Sequence, residues 1–193
     1  MIEVGLSMTL IAISMIPIAY LLGSIPSAYI VGRFLKGIDI REVGDGRIGA
    51  SYSYRRLGLA GGVIVGVMDV SKGAIAVLLT QWLTGQIVIV LVAALAVAVG
   101  HNWSIFMRFR GGKGALTTYG VLVSLIFWQF LIGLSIGGVV YFFIRKSGPA
   151  TGIVYGILPM ILWIYGASTL VIVFPAFLSL PMLLKHYQMT RTS

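Results

Sequence analysis

Six apolar stretches, at about 4–32, 59–83, 87–100, 115–144, 151–165 and 167–184, follow one another along a chain of 193 residues. A helix crossing a hydrocarbon core of about 30 Å needs roughly 20 apolar residues, and several of these runs reach that length. With 59% hydrophobic and only 10% charged residues, the chain lacks the polar surface that a water-soluble domain of this size requires. Residues 1–193 therefore read as a single membrane domain, an all-α polytopic helical bundle. The run that starts after Glu3 has neither a basic flank nor a small-residue cleavage site, so it reads as a retained helix rather than a signal peptide.

Charge then orients the helices. Lys and Arg number 14 against 5 Asp and Glu, a formal net charge of +9. The cations gather in short loops: Arg33 to Arg56, Arg108 to Lys113, Arg145 with Lys146, and Lys185 to Arg191. Such clusters mark cytoplasmic loops, so the excess charge implies topology rather than nucleic-acid binding. If all four clusters share one side, an even number of crossings separates each pair. The stretch 115–144 must then cross twice, although 30 helical residues span only about 45 Å. A break near Phe127–Gln129 into a short helix and a fuller one satisfies this, because a half-length helix is tolerated where protein surrounds it. The expected result is about seven transmembrane helices, the short one following the Gly-Gly-Lys-Gly turn, with the N-terminus outside and the C-terminus in the cytoplasm; the alternative is five or six crossings, with Arg145 and Lys146 outside.

Spacings of small residues at Gly62/Gly66, Gly133/Gly137 and Gly152/Gly156 suit close intramolecular helix contact. No cysteine occurs, which excludes disulfides and thiolate metal sites. The two histidines, His101 and His186, each abut a membrane end with no carboxylate nearby in sequence, so neither a metal nor a cofactor is expected. Interfacial hydrogen bonding and general acid–base work remain open for both. Trp82, Trp103, Trp128 and Trp163 read as interfacial or packing aromatics.

The most chemically suggestive segment is Arg108-Phe-Arg-Gly-Gly-Lys-Gly114. Adjacent glycines let backbone N–H groups converge on an anion, the flanking cations add charge, and a helix starting at Ala115 aims its positive end there. The spacing does not fit a Walker A loop. A second glycine-and-cation segment runs from Arg41 to Ala50 and on to Arg55. Asp69 and Lys72, three residues apart in an apolar helix, share a face; a structural ion pair and a substrate contact both fit them. Ser24, in Gly23-Ser-Ile-Pro26, reads from its surroundings as a helix-packing serine at a proline kink.

In this order the segments resemble the bacterial acyl-phosphate-dependent glycerol-3-phosphate acyltransferases. The resemblance runs through Gly23-Ser-Ile-Pro26, Lys36-Gly-x-Asp-x-Arg41, Gly44-x-Gly46-x-x-Gly-Ala50, Arg55-x-x-Gly58 and Asp69-x-x-Lys-Gly73. It resumes at Gly100-His101 and at Phe106-x-x-Phe-Arg-Gly-Gly-Lys-Gly114, then at Thr117. It implies a multi-pass bacterial plasma-membrane enzyme that transfers a fatty acyl group from acyl phosphate to glycerol 3-phosphate, with membrane lipid as its surroundings and product pool. Ser24, Arg41, Lys113 and His186 are implied as catalytic. The substrate phosphates are implied to lie against Gly44, Gly46, Gly49, Arg55, Lys72, His101, Gly111, Gly112 and Gly114. Departures are local: the family's Gly-Ser-Gly-Asn and Gly-Ala-Thr-Asn read here Gly-Asp-Gly-Arg and Gly-Ala-Ser-Tyr, and Met189 stands where the family has Asn. Asp45 and Arg47 are expected to compensate as an ion pair. A changed acceptor, or a catalytically degenerate paralogue that binds phospholipid or acyl phosphate as a membrane scaffold or regulator, is the alternative.

Overall fold

A computed structural model describes residues 2–42 and 48–191, with side chains from Met8 onward. Among the described residues eight α-helices follow in order: α1 Ile2–Ser24, α2 Ser27–Lys36, α3 Ala50–Thr84, α4 Ile87–Asn102, α5 Ala115–Leu125, α6 Phe127–Ile144, α7 Ser147–Ile164 and α8 Thr169–Arg191. A 3₁₀ turn, Ile105–Met107, separates α4 from α5. Among the described residues six stretches are long and apolar enough to cross a membrane, with α1 and α2 together forming the first of them. The short α5 completes seven transmembrane helices.

Each break has a local cause. Pro26 has no N–H to donate and its ring cannot sit against the preceding helical turn, so α1 stops at Ser24 and the chain restarts at Ser27. The first apolar run is therefore two helices at an angle rather than one. Gly37 and Gly85 close α2 and α3 in the left-handed conformation. Within α3, Gly58 has φ 84° and ψ −174°, so residues before it form a short separate turn of helix and the crossing begins at Leu59. The break in 115–144 falls at Ile126, one residue before the expected position.

At about 1.5 Å per residue, the 11 residues of α5 span only about 16 Å. Neighbouring helices accommodate this half-length element: Val121 and Leu122 are fully buried in the main core with Val90, Val97 and Leu158. The tightest packing is reciprocal and backbone to backbone. A Cβ on Gly23 would overlap the Val97 carbonyl, and one on Gly100 the Tyr20 carbonyl, clamping α1 to α4. Gly73 against Thr117 and Gly120 against Val70 do the same for α3 and α5. The expected small-residue contacts are met at Gly133 and Gly137, which face Leu158 and Val154. They are not met at Gly152 and Gly156, which have no described neighbour within 4 Å, because α6 packs on the Ala150–Val154–Leu158 face of α7.

Tight turns make successive helices antiparallel, so Trp82, Trp128 and Trp163 gather at the end bearing the uncharged turns. All three are exposed, as lipid-interface aromatics are. Trp103 lies at the opposite end, donating Nε1–H to Gln188 at 3.1 Å beneath the Lys185 ammonium.

Candidate active site

The broken first span opens the bundle at its basic end. Between Ser24 and Ser27 the backbone leaves the helix, and a cleft forms against α3, α4 and the loop before α5. Its wall includes Ser24, Ser27, Tyr29, Gly49, Asp69, Lys72, His101, Ser104, Gly111 and Gly112. Ser24 is fully buried and engaged with backbone: its Oγ donates to the Gly100 carbonyl at 3.3 Å, and its carbonyl accepts Ser104 Oγ–H at 2.5 Å.

Behind that rim lies a polar cluster drawn from three helices. Asp69 Oδ1 accepts Ser27 Oγ–H at 2.8 Å and the Lys72 ammonium at 2.9 Å. Lys72 also donates to the Ile25 carbonyl, freed by the break at Pro26, at 3.3 Å. Both members of the ion pair have side chains only 5% exposed. A buried charge pair is tolerated only with its remaining hydrogen bonds supplied, and Ser27 and Ile25 supply two of them. The His101 Nδ1 lies 3.6 Å from the same carboxylate oxygen.

The loop from Arg108 to Gly114 folds over this cluster. Arg108 and Phe109 both take left-handed φ, 51° and 61°, reversing the chain after the 3₁₀ turn. Phe109 N–H returns to the Ser104 carbonyl and Gly111 N–H to the Asn102 carbonyl, at 2.8 and 3.1 Å. At Gly111 and Gly112 glycine is favoured by space, and at Gly114 by φ. A Cβ on Gly111 would overlap the carbonyls of His101 and Asn102, and one on Gly112 would come within 2.5 Å of His101 Nε2. Gly114, at φ 82°, caps the start of α5 beside the buried Asn102 side chain, whose Oδ1 has no described hydrogen-bond partner.

At the cleft mouth Arg41 stacks on Tyr29, its guanidinium carbon 4.9 Å from the ring centre. Arg41 grips Asp39 through Nε at 2.9 Å and Nη2 at 2.5 Å, and Asp39 Oδ1 also accepts the Arg41 backbone N–H at 3.1 Å. The Arg41 guanidinium holds the Asp39 carboxyl down at about 2, against the opposing effect of burial.

Of the residues singled out from the sequence, the fold brings Ser24, Gly49, Lys72, His101, Gly111 and Gly112 to one cleft. Arg41 and Gly114 stand at its edges. Lys113 projects into solvent from the same loop, and Arg55 is exposed over the Tyr52 ring at 5.9 Å. His186 is exposed on α8; its neighbour Lys185 is the residue turned inward, onto Trp103 at 5.5 Å. Gly44 and Gly46, with Asp45 and Arg47, lie outside the described residues. Ser27, Ser104 and Tyr29 are cleft residues that sequence reasoning passed over. Only the proline before Ser27 signalled that its side chain stands at an opening.

Fold and cleft define a polytopic membrane protein with a polar, glycine-walled cleft at the basic end of its bundle. The profile of the family described as Glycerol-3-phosphate acyltransferase matches residues 13–192. A glycerol-3-phosphate acyltransferase of Endomicrobium trichonymphae is 38% identical over 177 residues, covering 92% of this chain and 89% of that one. Glycerol-3-phosphate acyltransferase 2 of Moorella thermoacetica is 49% identical over 123 residues, a match spanning 62% of this chain and 63% of that protein. The crystal structure of PlsY (YgiH), an integral membrane glycerol 3-phosphate acyltransferase in its glycerol 3-phosphate form, superposes with a TM-score of 0.83 at 27% identity, covering 93% of this chain and 90% of that one. The chain belongs to the glycerol-3-phosphate acyltransferase family.

Proposed function

We propose that this protein transfers a fatty acyl group from acyl phosphate to a hydroxyl of glycerol 3-phosphate, yielding lysophosphatidic acid and inorganic phosphate. The observation that carries this is the convergence of two glycine turns, at Gly49 and at Gly111–Gly112, with Lys72 and His101 on one cleft at the basic end. Glycine lets phosphate oxygens approach the backbone closely, and the exposed Arg108, Arg110 and Lys113 of the same loop offset their charge. Acyl phosphate is a mixed anhydride and already activated, so the protein's part is to place two phosphorylated molecules and stabilise charge on the attacked carbonyl. The surroundings of Ser24 favour direct transfer over an acyl-enzyme. Its hydroxyl is committed to a backbone carbonyl. Lys113 and Arg41, at the outer edge, are suited to capture an arriving phosphate. The acyl chain enters between lipid-facing helices, where the membrane already holds it.

The test is transfer by purified protein in nanodiscs, measuring lysophosphatidic acid and phosphate release with acyl phosphate as donor and acyl thioesters in parallel arms. Product from acyl phosphate alone supports the reading. Product from a thioester alone overturns the donor assignment, and no product from any donor overturns the activity. We place the basic end in the cytoplasm of a bacterial cell, with the N-terminus outside. In a chain without native cysteine, Ser147→Cys reports this cleanly, and labelling only from the outer face would reject it.

A further inference from the structure

We propose that His101 accepts the proton of the substrate hydroxyl through Nε2, and that Asp69 is the positioning residue that turns the ring to do so. The inference rests on the acyl-transfer reading above and names who handles the proton in it. Asp69 lies well inside an apolar helix, where a carboxylate persists only with partners or a task. An ion pair with Lys72 would satisfy charge alone. The geometry goes further, because a third group from another helix turns to the same oxygen: His101 presents Nδ1 to Asp69 Oδ1 at 3.6 Å. The opposite nitrogen, Nε2, faces the Gly112 backbone, close enough that a Cβ there would sit 2.5 Å away. The imidazole thus bridges a fixed carboxylate and the turn that receives phosphate.

The two ring nitrogens carry different roles in a neutral imidazole. The one facing a carboxylate holds the proton, and the other keeps a lone pair. Lys72 already neutralises Asp69, so the ring needs no positive charge to balance it. Ser27 and Lys72 together pin the carboxylate oxygen and stop it rotating away from the ring. At 3.6 Å the Nδ1 contact is longer than a formed hydrogen bond, and the proposed role requires it to shorten when substrate fills the cleft. In the reaction the hydroxyl oxygen bonds to the acyl carbon as its proton passes to Nε2. The bond from acyl carbon to phosphate oxygen then breaks, and phosphate leaves with the electron pair. The proton on Nε2 follows it, restoring the neutral ring.

The test compares wild type, Asp69→Asn, His101→Gln and the double variant in nanodiscs with acyl phosphate and glycerol 3-phosphate. Asp69→Asn should lower kcat by about 100-fold or more, the scale of lost acid–base catalysis, with a much smaller change in KM. The double variant should be no worse than His101→Gln alone. Imidazole ¹⁵N spectra give a readout that mere packing does not predict. With two histidines in the chain, the signal lost in His101→Gln is assigned at once. It should report the Nδ1–H tautomer in wild type and shift toward Nε2–H in Asp69→Asn. An Nε2–H tautomer in wild type, or full kcat in either single variant, overturns the proposal. If Asp69→Asn fails to fold, the wild-type tautomer and the His101→Gln kcat decide the matter alone. A wild type inactive with every donor overturns the acyl-transfer reading itself; an active wild type with an unaffected Asp69→Asn overturns only this inference.

Discussion

The helices from α1 to α5 and those from α6 to α8 share a lipid environment but are held together differently. In the first group, backbones touch: Gly23 and Gly100 clamp α1 on α4, and Gly73 and Gly120 clamp α3 on α5. Polar side chains are buried between those helices, among them Ser27, Asp69, Lys72 and Thr117. In the second group the contacts run through side chains: Gly133 meets Leu158 at ordinary separation, Gly137 is held tight against the Val154 side chain, and glycines at 148, 152 and 156 face open space. Lipid offers no hydrophobic drive for helix association, so close packing and hydrogen bonds must supply it. The first group uses both, and there the cleft residues keep fixed distances. The second group supplies a flank, touching the cleft end chiefly where α8 brings Lys185 and Gln188 onto Trp103.

This contrast breaks first at the clamps. Gly73→Val and Gly120→Val each force a side chain into a backbone carbonyl of the facing helix, so α3 and α5 must separate. Both should lose activity entirely and yield little monodisperse protein by size-exclusion chromatography. Next comes the loop over the cleft. Gly112→Val should abolish lysophosphatidic acid formation while leaving helix content by circular dichroism unchanged, because it fills the space beside His101 Nε2 without touching a helix–helix contact. Lys113→Ala should raise KM for a phosphorylated substrate about 10- to 150-fold, equivalent to the roughly 1.5–3 kcal/mol of a charge-assisted hydrogen bond.

A smaller effect belongs to Asp39. Its folded-state carboxyl is depressed to about 2, so its pairing stabilises the protein at every pH above the ordinary carboxylate value. That contribution is lost as pH falls through the folded value. The Tm difference between wild type and Asp39→Asn should therefore stay constant above about pH 5 and shrink toward zero between about pH 4 and 2. A difference that persists at pH 2 would show that Asp39 acts through something other than its charge. The smallest effect is predicted for Gly156→Val, on the open side of α7: activity and Tm should match wild type. A large loss there would mean that this face has a partner and that the two halves of the bundle are less different than they look.

The helices were legible to within a few residues, including the unusual division of 115–144, because apolar length and the sidedness of charge constrain crossings directly. The splitting of the first run at Pro26 was marked by a residue whose effect on a helix is known, yet it read as a kink and proved to be a complete break that builds the cleft. Much of the cleft was visible as glycine-rich basic turns. Ser27 was not, since nothing about a serine in an apolar run says that a carboxylate 42 residues later will turn toward it. His186 and Lys185 show the same limit: adjacent on α8, they differ by one helical step, Lys185 turned onto Trp103 and His186 exposed, and adjacency in sequence does not say which faces inward.

By itself the sequence determined that this chain lives in a bilayer, that it crosses several times, and that two glycine-rich basic segments share one end. Those features follow from local rules of length, charge and backbone freedom. Which helix faces meet was decided only by the tertiary structure. In water an apolar stripe names the buried side of a helix; in lipid every side is apolar, so the stripe carries no direction. Glycine spacing is an incomplete substitute, as the open Gly152 and Gly156 show against the clamped Gly23, Gly73, Gly100 and Gly120. The bundle therefore had to be assembled before Ser27, Asp69, Lys72 and His101, drawn from three helices, could be recognised as one cluster.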